Sequence, residues 1–214
     1  GFLSAMTEMD KTLAAPPTNS KTTHRRLQFA KWITNVRNPL TARVLVNRLW
    51  QHHFGRALVR TPNNFGYKSD PPTHPKMLDW LAAEFMEPTT GGAAPWTLKR
   101  LHKLIMMSNT YQQQSVHPQE VEYAQRDFLN RNLWKFNRHR LNSEALRDAM
   151  LAVSGQLNLK MGGSSFYPKM SSEALEGLSR KAGDWKDSPT DERSRRSIYM
   201  MTKRSRLLPL MTVF

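Results

Sequence analysis

Cysteine is absent from the 214 residues. That excludes disulfides, zinc–thiolate sites, a cysteine nucleophile and haem attachment through a CxxCH motif within this segment. It leaves the redox compartment open. Acidic side chains are scarce: 17 Asp and Glu face 32 Lys and Arg, for a formal charge of +15. Long apolar runs are missing as well. None approaches the roughly 20 residues that span a bilayer, and the mean hydropathy is -0.62, so no membrane span is expected. No GxSxG elbow marks a serine nucleophile. Gly162-Gly163 lacks the lysine-serine continuation of a phosphate-cradling loop. The opening GFLSAM is too short and too uncharged to read as a complete signal peptide.

What the chain does have is concentrated between Asn38 and Trp80. Asn38 suits an N-cap, since its side-chain oxygen can accept from a free amide of the first turn. Pro39 follows at the first helical position, where a missing N–H costs nothing. Leu45, Val46, Leu49 and Trp50 recur on one helical face. Gly55 then offers a left-handed stop after His52, His53 and Phe54. The spacing predicts a helix from about Pro39 to Phe54, with histidines at the negative end of its dipole.

The remaining chain predicts a mainly α fold, an irregular multi-helix bundle with long loops and little or no sheet. Residues 1–22 read as a linker around Ala14, Ala15, Pro16 and Pro17. Residues 23–214 read as one helical domain. A helix from near Thr23 should turn Leu27, Ala30 and Ile33 inward and stop before Asn38-Pro39. Another, from about His74 to Met86 and capped by Thr73, should bury Met77, Leu78, Leu81 and Phe85 and leave Asp79 and Glu84 outside. Thr97 should cap a helix that turns Leu98, Leu101, Leu104 and Ile105 inward and runs to about Tyr111. Further helices are expected near Val121 to Trp134, from Asn142 or Ser143 with Leu146, Ala149, Met150 and Val153 inward, and near Ser172 to Leu178. The SIYMMT stretch fits strand or helix.

Candidate chemistry starts with histidine. Neighbouring His52 and His53 point about 100° apart on a helix, so they do not make an i, i+4 metal pair. One of them could join His74 if the next helix folds back; otherwise His53 packs near Trp50, His52 caps carbonyls and His74 serves its turn. Glu144 and Asp148, with Arg147 between, read as an ion-pair face rather than as a catalytic carboxylate pair. Asn47, Arg48 and Gln51 share a polar face suited to sugar hydroxyls or carboxylates. Alternatively, Asn47 and Arg48 bond the Asn63–Asn64 loop and set its shape. No acidic residue lies between Asp127 and Glu144 and none follows Glu192, so Arg138, Arg140 and the Arg193–Arg196 group are expected on an exposed, polyanion-attracting surface.

The strings NPLTARVLVNRLWQHHFGRALVRTPNNFG, PPTHPKMLDWLAAEF, WTLKRLHKLIMMSNTYQQQS, NRHRLNSEALRDAMLAVSGQL and RRSIYMMTKRSRLLPLMTVF are similar to an uncharacterised planctomycete family. It is a domain of unknown function found at the C-terminal side of large secreted proteins. Those proteins often also carry a planctomycete-type cytochrome c domain. The resemblance runs from about Arg25 to Phe214. The chain departs from the family in its Gly91-Gly92 loop and at Gln112. The family pattern continues past Phe214 into an acidic, proline-containing stretch, so the chain reads as a C-terminally truncated fragment. The resemblance implies an extracytoplasmic location and a neighbouring haem protein, and no activity.

The expected function is binding or assembly, with an anionic polysaccharide or an acidic partner domain as the target. The ligand-binding candidates are Asn47, Arg48, Gln51, His52, His53, Asn64, His74, Arg138 and Arg140. The rival is a metal-dependent or acid/base hydrolase acting on polysaccharide. No resident metal or cofactor is implied. Nucleic acid is disfavoured, because a helix-turn-helix drawn through the first two helices has no distinctive joint and the family context is extracytoplasmic.

Overall fold

Helices carry nearly all the regular structure in the computed structural model, which describes residues 15–89, 94–171, 185–203 and 208–213. Those of the first part of the chain are α1 (Arg25–Ile33), α2 (Pro39–Phe54), α3 (Pro75–Met86), α4 (Leu98–Met106) and α5 (Glu120–Arg126). They are followed by α6 (Ser143–Val153), α7 (Thr190–Arg193), a 3₁₀ turn (Ser197–Tyr199) and α8 (Pro209–Val213). Among the described residues the β pairing is limited to two isolated parallel bridges, Asn158 with Arg195 and Phe166 with Met200. The fold is mainly α, as its sequence predicts. By internal packing the chain divides into two units, Gly1–Arg138 and His139–Phe214.

In the first unit, α2 is defined at both ends by its own sequence. Asn38 Oδ1 accepts from the Leu40 N–H at 3.0 Å, and Pro39 takes the first helical position. Gly55 sits at φ 74° and donates its N–H to the Gln51 carbonyl, a conformation that a side chain resists. Asn38 Nδ2 and Thr41 Oγ1 also donate to the last carbonyls of α1, those of Trp32 and Ile33. The inner face of α2 (Ala42, Val46, Trp50, Phe54) meets Leu78, Leu81, Ala82 and Phe85 of α3. Leu101 and Ile105 of α4 and Leu58 and Val59 of the intervening loop complete this core.

Several expectations for this unit are corrected. Leu98, expected inward, is 46% exposed; Thr97 makes no side-chain cap bond to α4, and the N-cap of α3 is His74 in place of Thr73. Helix α1 runs from Arg25 and buries no residue; Leu27 and Ala30 face solvent, and only Gln28, Trp32 and Ile33 are half-buried. Glu84, expected outside, is 3% exposed. Its carboxylate accepts from Thr89 Oγ1 at 2.7 Å and from the Thr89 N–H, and it pairs with Arg100 of α4. A buried carboxylate is tolerable when it is paired and hydrogen-bonded in this way. Helix α5 ends at Arg126 instead of running to Trp134. The Asp127 carboxylate takes the N–H groups of Arg131 and Asn132 at 2.9 and 2.8 Å, and Asn130 and Leu133 adopt left-handed φ of 49° and 55°. An Asp that bonds the backbone ahead of it competes with helix continuation.

The second unit is organised by polar groups as much as by apolar ones. Asn142 caps α6 by accepting from the Ala145 N–H at 2.8 Å, as its sequence predicts. Its expected inner face does not close: Ala149 is exposed, Met150 is 61% exposed and Val153 is 91% exposed. The opposite positions do the packing. Asp148 accepts from the Ser197 N–H and Oγ at 2.8 and 2.7 Å. Arg147 donates to the carbonyls of Arg193 and Arg195 and lies over the Phe166 ring.

Arg195, expected on the surface, is 1% exposed. It bonds the Ser164 and Gly162 carbonyls and the Glu192 carboxylate, with its guanidinium over Tyr199. Irregular loops leave carbonyls that no helix satisfies, and a guanidinium with five N–H donors collects several of them. The helix expected near Ser172 to Leu178, the Gly91-Gly92 loop, and Arg204 and Arg206 lie outside the described residues.

Candidate functional site

The residues nominated from sequence separate once placed. Asn47, expected on an open polar face, is 0% exposed. Its Nδ2 donates to the Val59 carbonyl at 3.0 Å and its Oδ1 accepts from the Val59 N–H at 2.8 Å, clamping helix to loop from within the core. Arg48 is exposed and donates to Asn63 Oδ1 at 3.1 Å. Asn64 Oδ1 accepts from the Gly66 N–H and holds the turn there. Gln51 is half-buried and His52 exposed. His74 is the N-cap of α3, with Nδ1 3.1 Å from Thr73 Oγ1. Arg138 belongs to the first unit and Arg140 to the second, and both are exposed.

His53 does not meet His74. Its Nε2 lies 2.8 Å from Nδ1 of His102 on α4, and its ring edge rests against Tyr111. Burial, then the neighbouring His102 and His52, push the His53 imidazole below its ordinary value. His53 is therefore disposed to stay neutral near pH 7, and its bond to His102 joins α2 to α4. Among the described residues no group of three or more His, Asp or Glu side chains is placed to hold a metal ion.

Two surface features of the first unit stand out among the described residues. An open groove of about 960 Å³ runs between α3 and α4 above Trp50. Its walls are apolar where Met77, Trp80, Leu81 and Leu104 contribute, and cationic where α4 presents Lys99 and Lys103. Arg100, also in this wall, is tied back to the Glu84 carboxylate and carbonyl. Thr89, burial notwithstanding, and then Arg100 hold the Glu84 carboxyl down at about 2, so that ion pair is permanent at neutral pH.

The second feature is a polar cleft of about 510 Å³. Arg60 comes from the loop after α2, Arg126 from the last turn of α5, and Arg131 from the turn that Asp127 closes. Pro71, Pro72 and Asn132 line it with them, as do the carboxylates of Asp70 and Asp127. Arg126 is paired with Glu122 at 2.9 Å on the helix surface. Arg60 and Arg131 are exposed and line the cleft. Arg60, Arg126 and His102 are not among the candidates that the sequence suggests. Nothing local marks their part in these sites, because His53 meets His102 across 49 residues and the cleft joins Arg60 to Arg126 and Arg131 from a distant segment.

Residues 25–214 match a family model described as PSD1, protein of unknown function (DUF1553). No curated protein matches the chain, and no solved structure matches it.

Proposed function

The chain belongs to this PSD1 family of proteins of unknown function (DUF1553), and we propose that it is an extracytoplasmic module that binds an anionic polysaccharide. The observation that carries this reading is the arginine cleft. Guanidinium groups are planar forks that match carboxylate and sulfate oxygens in pairs. Arg60, Arg126 and Arg131 bring three of them to one cavity from three chain segments, while Asn132 and Thr73 add hydrogen-bonding groups for hydroxyls. Proline walls keep the cleft preformed, so little ordering entropy is lost on binding. The net charge of +15 and exposed residues such as Arg138 and Arg140 draw a polyanion in from a distance and raise the association rate. A haem-bearing neighbour in a longer chain, and a place outside the cytoplasm, belong to the same proposal.

Retention on an immobilised polyuronate or sulfated glycan tests it. The protein should bind at low salt and elute well below molar salt, because the screening length falls from about 10 Å at 0.1 M to about 3 Å at 1 M. Arg60→Glu with Arg131→Glu should abolish retention, whereas Arg138→Glu with Arg140→Glu should only lower the eluting salt. Neutral dextran should not retain the protein. Equal retention by duplex DNA, or an unaltered Arg60/Arg131 variant, would leave generic charge and no site.

A second reading, an acid/base hydrolase on the same polysaccharide, draws on Asp70 and Asp127 in one cleft. Asp127 already accepts two backbone N–H bonds, so its carboxylate is committed to the turn. Release of reducing ends by wild type and not by Asp70→Asn would establish that reading.

A further inference from the structure

The groove between α3 and α4 is unlike the arginine cleft, and its chemistry points to a different occupant. Its floor and α3 wall are large apolar side chains, with Trp80 53% exposed and Met107 at the rim 65% exposed. A patch of this kind open to water on a strongly charged chain marks an interaction surface. Methionine at such a rim adapts to varied apolar partners. The opposing wall is cationic: Lys99 and Lys103 stand one turn apart on α4. Both are exposed, and no carboxylate lines the groove among the described residues.

We infer that this groove docks an acidic amphipathic helix of a partner protein. An α-helix with its side chains is about 10–12 Å across, and helices recognised in grooves lay i, i+3, i+4 and i+7 apolar anchors onto an apolar floor. The Trp80 and Met107 surfaces receive those anchors. Lys99 and Lys103, one turn apart, meet carboxylates one turn apart on the incoming helix, and this charge complementarity sets its sign and orientation. Arg100 is held by Glu84, so it stiffens the α4 wall and does not compete for the ligand. This site stands or falls independently of polysaccharide binding.

The probe is a fluorescein-labelled synthetic helix of about five turns, with leucine along one face and glutamate on the rest, titrated with the full chain and read by anisotropy. Saturable binding is expected. A control peptide of the same composition with its leucines scattered round the helix should bind at least roughly tenfold more weakly. Lys99→Glu with Lys103→Glu should weaken binding at least about tenfold, as should Met107→Glu, which changes an exposed side chain and leaves the core intact. Arg60→Glu with Arg131→Glu should leave peptide affinity unchanged. Equal affinity for both peptides would overturn the proposal, as would Met107→Glu and Lys99→Glu/Lys103→Glu proteins that keep wild-type circular dichroism and wild-type affinity. So would dodecanoate displacing the peptide completely while anionic phosphatidylglycerol vesicles retain the protein, since the groove would then serve an acyl chain.

Discussion

Replacing Asn47 by Ala tests the packing of the first unit at its most demanding point. The side chain is 0% exposed, and the Val59 backbone that it bonds belongs to a residue 3% exposed. Both bonds have ordinary lengths, 3.0 Å to the carbonyl and 2.8 Å from the N–H. Alanine would leave two buried backbone groups unsatisfied, each costing about 1–3 kcal/mol. The sum is about 2–6 kcal/mol, toward the lower end if the loop opens and water reaches Val59. With a urea slope of about 1–3 kcal/mol/M, the midpoint of the first unit's transition should fall by at least about 0.7 M. Trp50 in the core reports that transition by fluorescence. Asn47→Asp should do no better: it keeps the acceptor for the Val59 N–H but turns the donor to the Val59 carbonyl into a second oxygen and buries a charge. A loss below about 0.5 kcal/mol, the size usual for surface changes, would refute the clamp and return Asn47 to the open face that its helical position suggests.

Two further predictions concern pH. His53 has its folded value lowered by burial and by His102 and His52; stability should be full above the ordinary value of 6.5 and should decline as pH falls below it. His53→Phe should flatten that decline in melts between pH 7 and 5, and an unchanged slope would count against a neutral, partly buried His53. Glu84 is depressed from 4.5 to about 2, so its contribution is present above 4.5 and is lost as pH falls towards 2. Glu84→Gln should remove that part of the acid titration of stability, which melts across the same window will show, and an acid limb identical to wild type would argue against the Glu84–Thr89–Arg100 arrangement.

How far the sequence could be read depends on how local each cause is. Helix α2 was legible throughout because Asn38, Pro39 and Gly55 act within one turn of themselves. Leu78, Leu81 and Phe85 were legible because α3 has a clean 3.6-residue period. Glu84 was not: its place in that period is polar, and only Arg100 and Thr89, brought up by the next loop and helix, make its burial tolerable. Arg195 failed in the same way. A run of arginines resembles a solvated surface, yet the loop carbonyls of Gly162 and Ser164 needed a donor that no periodicity announces. For the candidate sites, Asn47 bonds a loop, as one of its two readings allows, but its partner is Val59 instead of Asn63–Asn64 and its position is the core. His102, Arg60 and Arg126 had no local mark, since the contacts that single them out join residues far apart in sequence.

The most direct test of the proposed function follows the arginine side chains themselves. In the 15N-labelled protein, the Nε–H signals of Arg60 and Arg131 should shift saturably when a short polygalacturonate oligomer is added. Arg126, partly committed to Glu122, should shift less. Arg147 and Arg195, whose guanidiniums are spent on loop carbonyls, should not move. Small, unsaturating shifts spread alike over exposed residues such as Arg25, Arg26 and Arg196, with no preference for Arg60 and Arg131, would contradict a polysaccharide site in this cleft.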